Sequence, residues 1–375
     1  MGIIVVLLLS CMFVYAGFVL YSAYHFRRAR CKDSVQKPQA SVSIIIPARN
    51  EAKHILDCLT SILNQDYPAE RVEIILINDH STDETKNLAL KLAKEDTRLK
   101  VFDLAVDHIN SYKKAAITQG ISLSKGEIIL QTDADCWVSP QWVSQMLAQF
   151  EKEVVFVSGP VYLVAGKSWM GKFQSLESMG LVALGGGAMT AGHPNMCNGA
   201  NMAYRRSAFE QIGGYTQIDQ IASGDDELLM QKMRKHFPNG LRFAKCTQAI
   251  VRTHTLTHWK ALRAQRIRWL SKARFYKNRW TNVIQLISYL AFCGFPFFLF
   301  GSIWDSSYLW YLLFISLVKL LADLAIMVPA ARFFHNLRLL AYLIPLQVVY
   351  IVYVLWIGIR GNFVYNYDWK DRKVR

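Results

Sequence analysis

The sequence predicts an α/β protein: a mostly parallel central sheet with helices on both faces, and transmembrane helices at both ends of the chain. Two observations carry this. β-Branched or apolar runs at 41–47, 72–77, 99–104 and 127–132 alternate with segments of helical character, the pattern of successive βα units. Apolar stretches at 3–24, 283–304, 307–330 and 339–359 each reach the length that crosses a bilayer, about 20 residues. With 375 residues, the chain has room for a full domain of roughly 100–200 residues besides these stretches.

The N-terminal run lacks a basic segment before it and a small-x-small site after it, so it reads as an uncleaved anchor and not as a signal peptide. Residues 25–32 are strongly basic, which places the following domain on the cytoplasmic side of an integral (inner) membrane protein. The formal charge of +15 and a pI near 9.5 could suit nucleic acid. The basic residues are scattered, however, and gather beside apolar segments, which fits a membrane surface. Aromatic residues concentrate in the apolar stretches as well, so no nucleic-acid partner is expected. Seven cysteines without a C-x-x-C pair imply neither a zinc site nor a disulfide framework, and reduced thiols suit a cytoplasmic domain.

The first strand closes at Pro47, and Arg49, Asn50 and Glu51 lead into a helix with Ile55, Leu56, Leu59, Ile62 and Leu63 on one face. A dinucleotide or P-loop site would need a glycine-rich turn here, and none is present. As a plain alternative, Asn50 caps that helix. The second strand ends at Asn78 and Asp79, after which Ser81 or Thr82 can cap a helix over 84–95. Capping does not explain Asp79, which stands where open α/β sheets bind ligands. A helix starting near Tyr112 carries Lys113 and Lys114. The fourth strand ends in Asp133 and Asp135. Alternation along a strand puts both carboxylates on one side, where they can face a Mg2+ or Mn2+ ion whose other positions take water and diphosphate oxygens. The alternative is a solvated turn.

Further along, Asp225, Asp226 and Glu227 open a helix, an ordinary place for carboxylates. Gln265, Arg268 and Trp269 share a helix face at i, i+3 and i+4. There arginine can pair with diphosphate and tryptophan can offer a flat platform. A basic helix lying on anionic lipid is the competing reading, because Arg263, Arg266, Lys272, Arg274 and Lys277 surround the motif.

Together these stretches resemble a family 2 glycosyltransferase with a GT-A fold. The resemblance rests on Ser-Ile-Ile-Ile-Pro-x-Arg-Asn-Glu from Ser43, Asn-Asp-x-Ser-Thr-Asp-x-Thr from Asn78, Lys-Lys-Ala-Ala from Lys113 and Thr-Asp-Ala-Asp from Thr132. It implies that Pro47, Arg49, Asn50, Glu51 and Asp79 hold the nucleoside of a nucleotide-sugar donor, with Lys113 and Asp133 also on the donor. Asp133 and Asp135 would hold the metal. The chain departs from the family at Asn78, often aspartate there, and at His80, often glycine; the base is left open, with a UDP-sugar expected. Residues 198–206 and 213–215 are similar to the loop leading into the acceptor site, with Arg205 and Arg206 either in that role or merely solvated. The spacing of Asp225 and Asp226 to Leu229 is similar to the family's Glu-Asp-x-x-Leu. That implies Asp226 as the base on the acceptor hydroxyl, with Asp225 supporting it. The Gln-x-x-Arg-Trp motif resembles membrane-bound members: cellulose, hyaluronan and poly-N-acetylglucosamine synthases and ceramide glucosyltransferase.

The expected layout is an anchor at 1–26, a cytoplasmic GT-A domain at 27–280 ending in an interfacial helix, and a membrane region at 281–375 with about three apolar segments and a basic tail. Three crossings would leave that tail outside, against its charge, so one segment should be re-entrant or interfacial, the one with Pro345 first. Trp304, Tyr308, Trp310 and Tyr311 mark an outer loop, Arg332, His335 and Arg338 an inner one, and Lys319 should pair with Asp323. The expected activity is inverting transfer of a sugar to a lipid or lipid-linked glycan. A processive polysaccharide synthase is the alternative and a non-catalytic membrane scaffold the remote one. An oligomer or partner subunit is left open.

Overall fold

The computed structural model describes residues 2–32, 40–107, 109–271, 275, 279–363, 367–369 and 372–374. Helix α1 (Gly2–Arg28) precedes strands β1 (Val42–Ala48), β2 (Val72–Asn78), β3 (Leu99–Asp103) and β4 (Ile128–Gln131), joined by α2 (Ile55–Leu63), α3 (Thr85–Glu95) and α4 (Tyr112–Leu123). β5 (Cys136–Trp137), α5 (Trp142–Leu147), β6 (Phe156–Ser158), β7 (Val161–Val164), α6 (Trp169–Thr190), β8 (Met202–Arg205) and α7 (Arg206–Gln211) follow. Then come α8 (Glu227–His236), β9 (Leu241–Phe243), β10 (Val251–His254) and α9 (Trp259–Ser271). The main sheet has seven strands in the order β3-β2-β1-β4-β8-β6-β9. β1 is parallel to both β2 and β4, and β8 alone runs against its neighbours.

Ile44, Ile45 and Ile46 of β1 are all fully buried, as a strand covered on both faces requires. Chain order reverses direction across the sheet at β1, since β2 lies on one side of it and β4 on the other. In such sheets ligands bind outside the carboxyl ends at that switch point. A smaller sheet, β5-β10-β7, ties the segment after β4 to the strand before α9.

Two local expectations are corrected. α2 buries Ile55, Cys58, Leu59 and Ile62 against the sheet, but Leu56, one position round from Ile55, is 41% exposed. Ser81 and Thr82 do not cap α3, and Asn50 does not cap α2. Asp83 accepts the Thr85 N–H at 3.0 Å. Ser81 accepts the Asn50 N–H at 3.1 Å, and Asn50 Oδ1 accepts the Thr82 N–H at 2.9 Å. The loops after β1 and β2 therefore lock to each other.

Helices α10 (Arg279–Gly301), α11 (Ser307–Phe333) and α12 (Leu343–Phe363) complete the chain, followed by a short hairpin of β11 (Tyr367–Trp369) and β12 (Arg372–Val374). Among the described residues, four helical stretches are long and apolar enough to cross a membrane: Gly2–Arg28, Trp280–Gly301, Ser307–Phe333 and Leu337–Arg360. α1, α10 and α11 pack on one another, and α6 lies against α1 and α11. Gly187 permits that approach, because a Cβ there would stand 2.1 Å from the Ser22 carbonyl oxygen.

The last apolar helix takes a different course. Just before α12, Asn336 donates to the Tyr162 hydroxyl at 2.7 Å, and Lys172 of α6 donates to the Tyr342 hydroxyl at 2.8 Å. Further along, Tyr353 receives a 2.8 Å hydrogen bond from Arg266 of α9, and the terminal hairpin lies against α9. Both ends of α12 thus lie on the side of the α/β part. Ile344, Val348, Val352 and Ile359 form its exposed apolar stripe, spaced as for a helix lying in an interface.

The cysteine expectation is also corrected: Cys31 and Cys246 form a disulfide across a sequence separation of 215. Lys245 reinforces that junction, donating to the Phe26 carbonyl at 2.6 Å. The sequence offers no spacing signal because the partners meet only when the segment after α1 folds back beside the turn after β9.

Candidate active site

Two groups of side chains gather at the carboxyl ends of the strands. The first is built from the loops after β1 and β2. Arg49 is buried and donates from one guanidinium nitrogen to the carbonyls of Asp79 and His80, both at 2.9 Å. Glu51 N–H donates to Thr85 Oγ1 at 2.7 Å, and Pro47 pairs with Ile77 across the strands. His80 sits at φ 49°, a left-handed conformation that costs a residue with a Cβ roughly 1–2 kcal/mol. Its ring lies 3.1 Å from the Asp79 carboxylate, which is nearly buried. Asn78 is turned to the neighbouring strand, where it donates to Asp103 at 2.8 Å.

The second group surrounds Lys113, near the start of α4. Its ammonium lies 2.7 Å from Asp133 Oδ1 and 3.0 Å from Asp225 Oδ2. Burial alone would lower the lysine pKa, but the two carboxylates outweigh it and hold it above the usual value. Lys113 therefore stays a cation. Asp225 also receives Gln131 Nε2 at 3.2 Å. Asp226 caps α8, with Oδ1 accepting the Glu227 N–H at 2.7 Å and Oδ2 the Gly199 N–H at 3.3 Å. Gly199 is required by space, since a Cβ would lie 2.7 Å from Asp225 Oδ2.

Asp135 is anchored through its backbone, whose carbonyl accepts from Thr253 Oγ1 at 3.3 Å on β10. Beside it, burial and then the Asp135 and Asp133 charges raise the pKa of the Cys58 and Cys136 thiols, which stay protonated. Among the described residues no group of three or more His, Cys, Asp or Glu is arranged to hold an ion unaided. An Mg2+ or Mn2+ site completed by substrate phosphate and water needs only one or two carboxylates. Asp133 and Asp135 are both partly open to solvent at the end of β4, so this pair of carboxylates fits such an ion.

Lys114, the next residue, was not singled out by the sequence. It is buried and donates to the carbonyls of Ile218, Ile221 and Ser223 at 2.7, 2.6 and 2.8 Å. It thereby fixes the loop that delivers Asp225 and Asp226.

The Gln-x-x-Arg-Trp helix is organised around Arg266, which corrects the reading of that residue as part of a lipid-facing basic surface. Arg266 is buried, paired with Glu177 of α6 and Tyr353 of α12, hydrogen-bonded to Gln265, and stacked 4.1 Å from the Trp269 ring centre. Glu177, with its companion charges, outweighs burial and raises the arginine pKa. Gln265 and Trp269 thus converge on Arg266. Lys272, Arg274 and Lys277 lie outside the described residues. Arg205 and Arg206 serve local structure: Arg205 donates to the Val154 carbonyl at 2.9 Å and Arg206 to the Gly126 carbonyl at 2.8 Å. Glu177 and Tyr353 carried no motif signal, while Gln131 and Gly199 lay in the 127–132 and 198–206 stretches without being singled out.

Comparison with known proteins bears on the family and the fold. Residues 43–213 match the Glycosyl transferase family 2 model. The chain is 27% identical over 321 residues to the probable glycosyltransferase YdaM of Bacillus subtilis, covering 82% of this chain and 74% of that protein. It is 31% identical over 139 residues to the beta-monoglucosyldiacylglycerol synthase of Nostoc sp., covering 37% of this chain and 28% of that one. Among solved structures, the mannosyltransferase PcManGT from Pyrobaculum calidifontis, in complex with GDP-Man and Mn2+, aligns with a TM-score of 0.61 at 18% identity over 96% of this chain and 98% of that one. With these motifs, this sheet order and these relatives, residues 43–213 form a glycosyl transferase family 2 domain, and the chain has a mixed α/β, GT-A-like fold with apolar helices at both ends.

Proposed function

We propose that the protein is a membrane-bound, metal-dependent, inverting hexosyltransferase that moves a sugar from a nucleotide sugar, a UDP-sugar in our reading, to a lipid or lipid-linked acceptor. The observation that carries this is the placement of Lys113, Asp133, Asp225 and Asp226 around Gly199 at the strand ends. The interlocked turn of Pro47, Arg49, Asn50, Glu51 and Asp79 receives the nucleoside. Asp133 and Asp135 hold the divalent metal, which when bound neutralises the diphosphate. Lys113, kept cationic by its carboxylates, adds positive charge at the leaving group. Asp226 takes the proton from the acceptor hydroxyl. That oxygen bonds to the anomeric carbon while the bond from that carbon to the diphosphate breaks on the opposite face, which inverts the configuration. Gln265, Arg268 and Trp269 belong to the helix that joins this site to the membrane segments.

In this reading residues 27–280 are the catalytic domain, with 1–26 as anchor and 281–375 as membrane region. The basic stretch after the anchor puts the catalytic domain in the cytoplasm. Support for a lipid acceptor comes from α12 lying against α9 and α6 and from the name of the Nostoc relative, a glucosyldiacylglycerol synthase.

The test is donor consumption and product analysis with detergent-purified protein, a panel of nucleotide sugars, Mn2+ or Mg2+ and a lipid extract, beside Asp226→Asn and Asp133→Ala. One consumed donor, one sugar added to a lipid, and two inactive variants are expected. A long product ladder would replace single transfer by processive synthesis. No donor binding or turnover in the wild type would leave a scaffold.

A further inference from the structure

Lys113 joins two carboxylates that are held in different ways. Its ammonium lies 2.7 Å from Asp133 Oδ1 and 3.0 Å from Asp225 Oδ2. Asp225 has a second partner, Gln131 Nε2 at 3.2 Å, and its side chain is only 8% exposed. The Asp133 side chain is 33% exposed, and among the described residues Lys113 is the one group paired with its carboxylate.

Asp133 is also one of the two carboxylates proposed above for the divalent metal. A carboxylate that already carries an ammonium attracts a second cation less, because the two cations repel at short range where water is partly excluded. Lys113 stands in the first turn of α4 on a flexible four-carbon stem. Asp225, by contrast, is fixed between Gln131 and Gly199, where a Cβ would meet Asp225 Oδ2 at 2.7 Å and Lys113 Nζ at 3.2 Å. The ammonium can therefore swing off Asp133 and keep Asp225. The reverse exchange would strand a buried carboxylate, which is costly.

We propose that Lys113 is a place-holding counter-cation. Without nucleotide it rests on Asp133 and weakens the site for a divalent ion. A nucleoside diphosphate draws the ammonium to itself, Lys113 pivots on Asp225, and Asp133 is released for the metal as the diphosphate arrives. Metal and nucleotide therefore bind with positive coupling, each tightening the other by the same factor. Asp225 is then a positioning residue that acts through Lys113. The inference rests on the nucleotide-sugar reading above and deepens it by assigning how the donor and its metal enter together.

The experiment measures Mn2+ binding to full-length protein in detergent by the loss of the free-ion electron paramagnetic resonance signal, with and without UDP or GDP. In the wild type, the nucleotide that binds should tighten Mn2+ about tenfold or more. Lys113→Met should tighten Mn2+ alone by about tenfold or more and shrink the effect of nucleotide, whereas Lys113→Arg, which keeps the charge, should behave like the wild type. Asp225→Asn leaves the ammonium to Asp133 and should weaken Mn2+ alone; general damage to the fold would weaken it in every variant. Lys113→Gln repeats the test if the methionine variant does not fold. The gain in Lys113→Met should vanish when Asp133→Ala is added. Unchanged or weaker Mn2+ binding in the folded, uncharged variant, or a gain that survives Asp133→Ala, overturns the proposal. Failure of the transferase reading looks different: Mn2+ would still respond to Lys113→Met in a protein that binds neither nucleotide.

Discussion

Lys114→Met isolates the positioning of the proposed base from the chemistry itself. The substitution keeps an unbranched apolar stem in a buried slot and removes three donors from the carbonyls of Ile218, Ile221 and Ser223. A buried carbonyl left without its partner costs about 1–3 kcal/mol. Ile218 and Ile221 are half-buried, so water can reach their carbonyls, whereas Ser223 is only 6% exposed. A loss near 3 kcal/mol overall is therefore expected, a fall of roughly 6–12 °C in melting temperature for a domain of this size. The released loop carries Asp225 and Asp226, and a displacement of about 1 Å at reacting groups can lower the rate about 100-fold. The KM for donor should hold, because Arg49 fixes the Asp79–His80 turn while Lys114 holds the carbonyls of the 218–223 loop. Steady-state turnover and a thermal melt of the purified variant check both parts. A kcat close to wild type with an unchanged melt would refute the anchoring role.

Other substitutions address the remaining contacts. Gly199→Ala places a Cβ 2.7 Å from Asp225 Oδ2 and 3.2 Å from Lys113 Nζ; kcat should fall about 10- to 100-fold with little change in melting, and unimpaired turnover would show that the Lys113–Asp225 contact is dispensable. Glu177→Leu strands a buried arginine and should destabilise by about 3–5 kcal/mol. The double variant with Arg266→Met should melt closer to wild type than the single one, and a double variant that melts lower would contradict the ion-pair account. For Cys31 and Cys246, alkylation without reductant should leave both unlabelled, and digestion should release them as one linked peptide pair. A membrane-permeant alkylator applied to intact cells extends this test to the compartment, since the cytosol keeps most thiols reduced.

Much of the fold was legible because its signals are local. The run of isoleucines in β1 is written for a strand covered on both faces, and the proline and charged residues after it mark the turn. The carboxylates of the second site group were visible as motif positions for the same reason: each stands at a strand end or a helix start. What the sequence hid was which of them share a cation. Asp133 and Asp135 are neighbours along the chain, yet the cation shared through Lys113 joins Asp133 to Asp225, 92 residues downstream. Such a pairing is a property of sheet order, which places β8 and the 198–201 turn beside β4. Lys114 was adjacent to a recognised lysine and still missed, because a lysine that holds backbone carbonyls leaves no trace in residue type.

The membrane half shows the same limit from the side of charge. Four apolar stretches satisfy a length criterion equally, and length cannot distinguish a helix that crosses from one that lies flat. The distinction comes from polar residues that need partners. Gln347, Tyr350 and Tyr353 on α12 are spaced three residues apart and fall on one face. Gln347 and Tyr353 find their partners in Asp323 of α11, Glu177 of α6 and Arg266 of α9, while the opposite face is apolar and exposed. In a helix buried through a bundle those groups would have to be satisfied at mid-membrane, at considerable cost. α12 meets α11 at Lys319 and Asp323, well inside that helix, and meets α6 and α9 at Glu177 and Arg266, while the terminal hairpin returns to α9. A polar face with partners on three neighbouring helices is thus what ties α12 to the rest of the molecule, a property of packing that hydropathy along the chain does not record.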